Sequence, residues 1–281
     1  MVAWRSLLDD GTGSIPPDAG GLARRAGRPL LCLSDIHGDL VALESVLAAV
    51  RGLELAGIVV AGDHCLGGPQ PFAVWQRLQS LGATLVRGPS DLALGALDIG
   101  DRTPSSAAEE ARLLTFLRTR QALGDVVCRR LAELPTTAVV SLDDARGVMV
   151  MHGSPGDDCR GLDDHDGLAD EVACVAEDAL VSGATHVPFS RRVPRDEPWR
   201  HAVEDGRDAH HEVDDVDVDL LPAPAPLLVV NAGSVGMSPL RRPDGRRTAH
   251  AVLLGYGDNG QLHAWGQDVL VADAGRARRV G

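Results

Sequence analysis

Six short stretches of this 281-residue chain bring together side chains that can bind cations or move protons. Ser34-Asp35-Ile36-His37-Gly38-Asp39 directly follows the apolar run Leu30–Leu33. Gly62-Asp63 follows Ile58–Ala61, His152-Gly153-Ser154 follows Val148–Met151, and Gly183-Ala184-Thr185-His186 follows Leu180-Val181. Gly88-Pro89-Ser90-Asp91 and Asn231-Ala232-Gly233-Ser234 close two further apolar runs, and His64-Cys65 extends the second stretch. Each time, a strand-like segment ends in a loop where α/β folds assemble sites from distant parts of the chain. Aspartate and histidine together form a hard-to-borderline donor set, suited to Mn, Fe, Zn or Ni. Divalent-cation chemistry is the first expectation.

The elements that must carry these loops can be read from periodicity. Pro29–Ser34, Leu55–Ala61 and Ala83–Arg87 read as buried strands, alternating with helices over Leu40–Val50 and Pro71–Leu81. That βαβαβ order implies a parallel sheet with crossover helices. Ala107–Leu134 reads as a long helical region broken near Gly124. Thr137–Leu142 and Gly147–Met151 read as a hairpin, followed by strands at Leu180–Ser182, Val187–Val193, Leu227–Asn231, His250–Leu254 and Gln261–Ala264. Two packed sheets with helices outside are expected. Asp39 is placed to cap the first helix.

The motifs, in this order and at strand ends, resemble the calcineurin-like metallophosphoesterase superfamily, in particular its small bacterial phosphodiesterases. The resemblance covers roughly residues 29 to 265 and implies a four-layer α/β/β/α sandwich of two mixed sheets. It also implies two divalent cations about 3.5–4 Å apart that activate a water and clamp phosphoryl oxygens. On that pattern Asp63 bridges the cations, and Asp35, His37 and His186 complete the first position. The second position would draw on Asp63, an Asn after Gly88, His152 and a His before Thr185. This chain has Pro89 and Ala184 at the latter places, and neither side chain can coordinate. The expectation is one firm ion, with Mn first and Fe, Zn or Ni as alternatives, and a second that is weak or absent. Asp63 and His152 are the expected catalytic groups, acting on a small phosphorylated or nucleotide-like substrate. Ser90 stands where some relatives have a His that assists the leaving group.

Two sources of replacement ligands are open. His64 and Cys65 follow the bridging Asp, and His201, His210 and His211 lie in an acidic stretch; packed or solvated roles are the plainer alternative for all five. Between Asp196 and Asp219 ten acidic residues face only Arg200 and Arg207, so this stretch supplies most of the net charge of −13. A surface insertion over about 195–226, ending in the Pro-rich Leu220–Pro226, accounts for it. Residues 1–28 are expected to be a poorly ordered extension, 29–266 the metallophosphoesterase domain, and 267–281 a tail.

Composition narrows the partners. Acidity disfavours strong nucleic-acid binding, and no apolar run is long enough to span a bilayer. Five scattered cysteines argue for a reducing cytoplasm rather than a disulfide framework. An oligomer is compatible with all of this. Three readings follow: a phosphoester hydrolase, a weak or inactive pseudoenzyme that binds metal or phosphate, and an interaction protein built around the acidic stretch.

Overall fold

The computed structural model describes residues 4–7, 28–100, 103–142, 146–195, 225–241, 243–257 and 259–272. In chain order the first half contains β1 (Arg5–Ser6), β2 (Leu30–Leu33), α1 (Leu40–Ala49), β3 (Gly57–Ala61), α2 (Pro71–Leu81), β4 (Thr84–Val86), α3 (Pro89–Ala96) and α4 (Ala107–Ala132). The second half contains β5 (Thr137–Ser141), β6 (Gly147–Met151), α5 (Leu168–Val172), β7 (Ala179–Ser182), β8 (Phe189–Val193), β9 (Leu227–Asn231), β10 (Thr248–Tyr256) and β11 (Leu262–Leu270). One sheet runs β1-β11-β10-β2-β3-β4 and the other β5-β6-β7-β9-β8. Both are mixed. β2, β3 and β4 are parallel in the first, and β6, β7 and β9 are parallel in the second.

Strand periodicity sorts the apolar residues into separate cores. Leu30 and Cys32 face the second sheet, while Leu31 and Leu33 face the helices. Ala179 and Val181 answer from the second sheet, with Leu180 turned to its outer side. Helices α1 to α4 cover the outer face of the first sheet through Leu43, Val46, Trp75, Leu78, Leu94, Phe116 and Leu131. The outer face of the second is covered by Leu162, Leu168, Val172 and Val175, in and around α5. The result is the expected α/β/β/α sandwich, with one thin outer layer.

Local chemistry explains the helix limits. Asp39 caps α1, its Oδ1 accepting from Ala42 N at 2.9 Å. The long helix is interrupted at Gly124, where φ is 72° and ψ 161°. Two differences from the sequence reading lie at the ends. The expected poorly ordered extension contributes a strand: Arg5 and Ser6 pair with Gly266 and Trp265, and Trp4 is buried. The last strand runs on to Leu270, past the expected domain end at 266. Pairing with a distant strand creates β1, and nothing local announces it. The acidic stretch from 196 to 224, with His201, His210 and His211, lies outside the described residues.

Candidate metal centre

All the chemical loops leave the C-terminal ends of the six parallel strands, three in each sheet. Backbone hydrogen bonds join them. Asp35 N donates to Gly62 O at 3.1 Å, His37 N to Asp63 O at 3.0 Å and Gly38 N to His64 O at 2.9 Å. Gly183 N donates to His152 O, and Val235 N and Gly236 N donate to Ser34 O and Asp35 O. Among the described residues, five non-glycines have positive φ: Asp35, His37, Asp63, Ala184 and His186. An L-residue in that region costs about 1–2 kcal/mol, and such strain gathers at functional sites. Four of the five are expected ligands. Gly183 is needed for close approach, because a Cβ there would lie 1.8 Å from Ser34 Oγ.

The side chains converge. His186 Nε2 is 3.0 Å from Asp35 Oδ1 and 3.4 Å from His37 Nε2, and His37 Nε2 is 3.5 Å from Asp35 Oδ1. Asp63 stands between two histidines, with Oδ2 3.8 Å from His37 Nε2 and Oδ1 3.9 Å from His152 Nε2. Two donor groups result: Asp35, His37 and His186, and Asp35, Asp63 and His152, each with one donor atom per residue within 4.8 Å of the others. Asp35 belongs to both groups, and Asp63 faces a histidine of each.

Second contacts aim the donors. His37 Nδ1 lies 2.8 Å from Leu66 O and His152 Nδ1 2.7 Å from Ala61 O. A carbonyl only accepts, so the neutral rings carry their proton on Nδ1 and turn an Nε2 lone pair to the site. Ser34 Oγ and Ala184 N hold Asp35 Oδ2 at 2.6 and 3.1 Å. Fully buried Asp91 accepts from Asp63 N at 2.8 Å, His64 N at 3.1 Å, His64 Nδ1 at 2.8 Å and Gly88 N at 2.9 Å. Asn231 Nδ2 reaches Gly183 O at 2.8 Å and Thr185 Oγ1 at 3.0 Å. Asp91 and Asn231 lie within the motifs, but the sequence pattern assigns neither a role. Their signal was a polar residue at a strand end or beside a ligand.

The positions lacking a ligand are equally plain. Pro89 is the first residue of α3, a place that suits a residue without N–H, and Ser90 N donates to Asp63 Oδ1 at 3.1 Å. Ala184 keeps a left-handed backbone, φ 66°, with only a methyl group. His64 turns inward to Asp91 and is fully buried, and Cys65 is buried with Sγ 3.5 Å from Pro71 O. Neither replaces a ligand; both are packed.

Electrostatics suit a cation. Burial alone would raise the Asp35 carboxyl, but hydrogen bonds from His186 and His37 bring it well below the usual range. Asp63 is pushed upward, by burial first and then by Asp91 and Asp35, against the pull of His152 and His37. Burial lowers His37, but Asp35 and Asp63 outweigh it and raise the ring. Three buried carboxylates outnumber the fixed positive charges near them. A divalent ion would relieve that excess, and the donor chemistry fits it.

Two cavities open beside the site. The one next to His37, about 590 Å³, is bounded by Gly67, Met237, Leu97, Ile99, Pro104 and the start of α4. The other, about 340 Å³, lies by His152, Ser154, Asp157 and Asp158. Asp157, Asp158 and Cys159 also cluster, but as an exposed acidic turn.

This architecture, with its convergent aspartates and histidines, is that of a metal-dependent phosphoester hydrolase. The chain matches the calcineurin-like phosphoesterase superfamily domain over residues 29–254 and belongs to that superfamily. In three dimensions it is similar to a metallophosphoesterase from Sphaerobacter thermophilus, with 23% identity, 87% of this chain and 89% of that one covered, and a TM-score of 0.58. It is also similar to YfcE, a phosphoesterase from E. coli, with 18% identity, coverage of 87% and 100%, and a TM-score of 0.39. No curated protein matches the chain in sequence. Among the described residues no helix is long and apolar enough to cross a membrane.

Proposed function

We propose that the protein hydrolyses a small phosphate ester, di- or monoester, using one firmly held divalent ion, Mn foremost. Asp35, His37 and His186 would hold it with Asp63 as the fourth donor. The observation that carries this reading is the convergence of donors: Asp35, His37 and His186 fall within 4.8 Å of one another, while the group around His152 shares Asp35 and adds only Asp63, with no side-chain donor from Pro89 or Ala184. When bound, the cation supplies Lewis acidity for a water and for the phosphoryl oxygens.

The chain's own groups do the rest. Asp91 fixes the Asp63 backbone, so that Asp63 faces His37 and His152 at once. His152, its proton directed to Ala61 O, leaves Nε2 free to orient a phosphoryl oxygen or a water. Ser34 and Ala184 N keep Asp35 turned toward His186. All five cysteines are free, which suits a cytoplasmic enzyme.

With added Mn, hydrolysis of an aryl phosphodiester is expected to be measurable but slow. Asp63→Asn should lower it by about two orders of magnitude or more. Full activity in that variant would assign the turnover to another site or protein. The depleted second side also supports another reading, a fold that binds metal and phosphate without turnover. Inactivity on every ester tried, by protein carrying one tightly bound Mn per chain, would establish that alternative.

A further inference from the structure

We propose that the cavity beside His37 is the binding pocket for an apolar, ring-sized group on the phosphate ester, an assignment that rests on the phosphoesterase reading above. Its volume, about 590 Å³, is that of a small-molecule site. Leu97, Ile99, Phe116 and Met237 supply its apolar walls, while His37 joins it directly to the metal centre. Leu97 and Met237 are 39% and 45% exposed. Large apolar side chains left open next to a polar site call for an apolar ligand.

Charge narrows the choice. Among the described residues that line it, Arg112 is the one Arg or Lys, and it is exposed. A phosphate chain would need several cations to offset its charge. The cavity on the opposite side is worse placed for one, because Asp157 and Asp158 line it. The structure therefore suits an ester whose phosphate sits at the donor cluster and whose uncharged ring lies against Leu97, Ile99 and Phe116.

Two esters with the same leaving group test this: phenyl p-nitrophenyl phosphate and methyl p-nitrophenyl phosphate, both with Mn. The expected kcat/KM favours the phenyl ester by about tenfold or more, the effect of burying one ring. Leu97→Asp and Met237→Glu, both at exposed positions, should bring the ratio close to one. Equal rates in the wild type, or a ratio that neither variant changes, would overturn the assignment.

A second measurement does not depend on turnover. 1-Naphthylmethylphosphonate, which cannot be hydrolysed, should bind saturably by fluorescence and about tenfold more weakly to Leu97→Asp. Equal affinity for both proteins overturns the pocket. Binding of this kind without hydrolysis of any ester would remove the hydrolase reading and keep the pocket. Hydrolysis without ring preference would do the reverse. If Leu97→Asp instead dissociates an assembly in sedimentation velocity, the apolar rim belongs to a second copy of the chain and the proposal falls.

Discussion

At the residue scale, the site depends as much on groups that never reach the substrate as on those that do. Asp91 is the clearest case: a fully buried carboxylate that accepts three backbone N–H groups and pairs with buried His64. These contacts hold its pKa below the ordinary value against burial, with the His64 charge the largest favourable effect. Removing one partner of such a pair strands the other. Asp91→Asn is therefore expected to cost about 3–5 kcal/mol, read by urea denaturation, and to reduce activity by loosening Asp63. A loss below about 1 kcal/mol, the size of a surface pair, would mean that the pair contributes no more than an exposed one. The expected ligands were legible because residue type and strand-end position suffice to find them. Asp91 and Asn231 were not assigned, because the contacts that tie them to the site reach across 27 to 69 positions of chain.

At the scale of elements, long periodic segments declared themselves. The helix over Ala107–Ala132, with its break at Gly124, and the β5–β6 hairpin both form as the pattern implies. α3 was hidden, since Gly88-Pro89-Ser90-Asp91 reads as loop although Pro at the first helical position is compatible with a helix start. The β10–β11 ladder carries a pair of its own. His250 stands opposite Asp268, with Nδ1 2.9 Å from Oδ1. The hydrogen bond from His250 lowers Asp268 below its ordinary 3.8, more than partial burial raises it. A depressed carboxyl stabilises the fold above the unfolded-state pKa and loses that contribution as pH falls through the folded value. Asp268→Asn should thus cost under about 1 kcal/mol near pH 6, since the carboxylate is half exposed. The gap between variant and wild type should narrow as pH falls below 3.8. A gap that does not narrow at all in that acid range would point to packing instead.

At the scale of the whole molecule, two sheets, each with three parallel strands, aim their C-terminal ends at one place, so a bound ion ties both sheets together. An ion held at 100 times its dissociation constant adds about 2.7 kcal/mol, or roughly 5–10 °C in Tm for a domain of this size. Mn should produce such a rise in protein freed of metal, and Asp35→Asn should abolish it. Elemental analysis should find one tightly held ion per chain. Two would contradict the depleted second position. The cavity beside His37 escaped the sequence because its walls come from Gly67, Leu97, Ile99, Pro104, α4 and Met237, which no motif links.

Ala184 stands where the resemblance implies a ligand. Its backbone holds the left-handed shape shared with the ligands around it, though no donor is left to use it. Regaining a histidine there asks for a new side chain on a backbone already in place. Regaining an asparagine at 89 also means replacing a ring that fixes φ at the start of α3. On the one-ion proposal, the two positions are thus unequally far from supplying a ligand. In a library randomised at both positions and selected for Mn-dependent diesterase activity, Ala184→His should be fixed first. Pro89→Asn should gain value only afterwards, with the double variant holding a second ion. Early enrichment of Asn at 89 alone would show that the methyl at 184 reflects adaptation to some other task rather than decay.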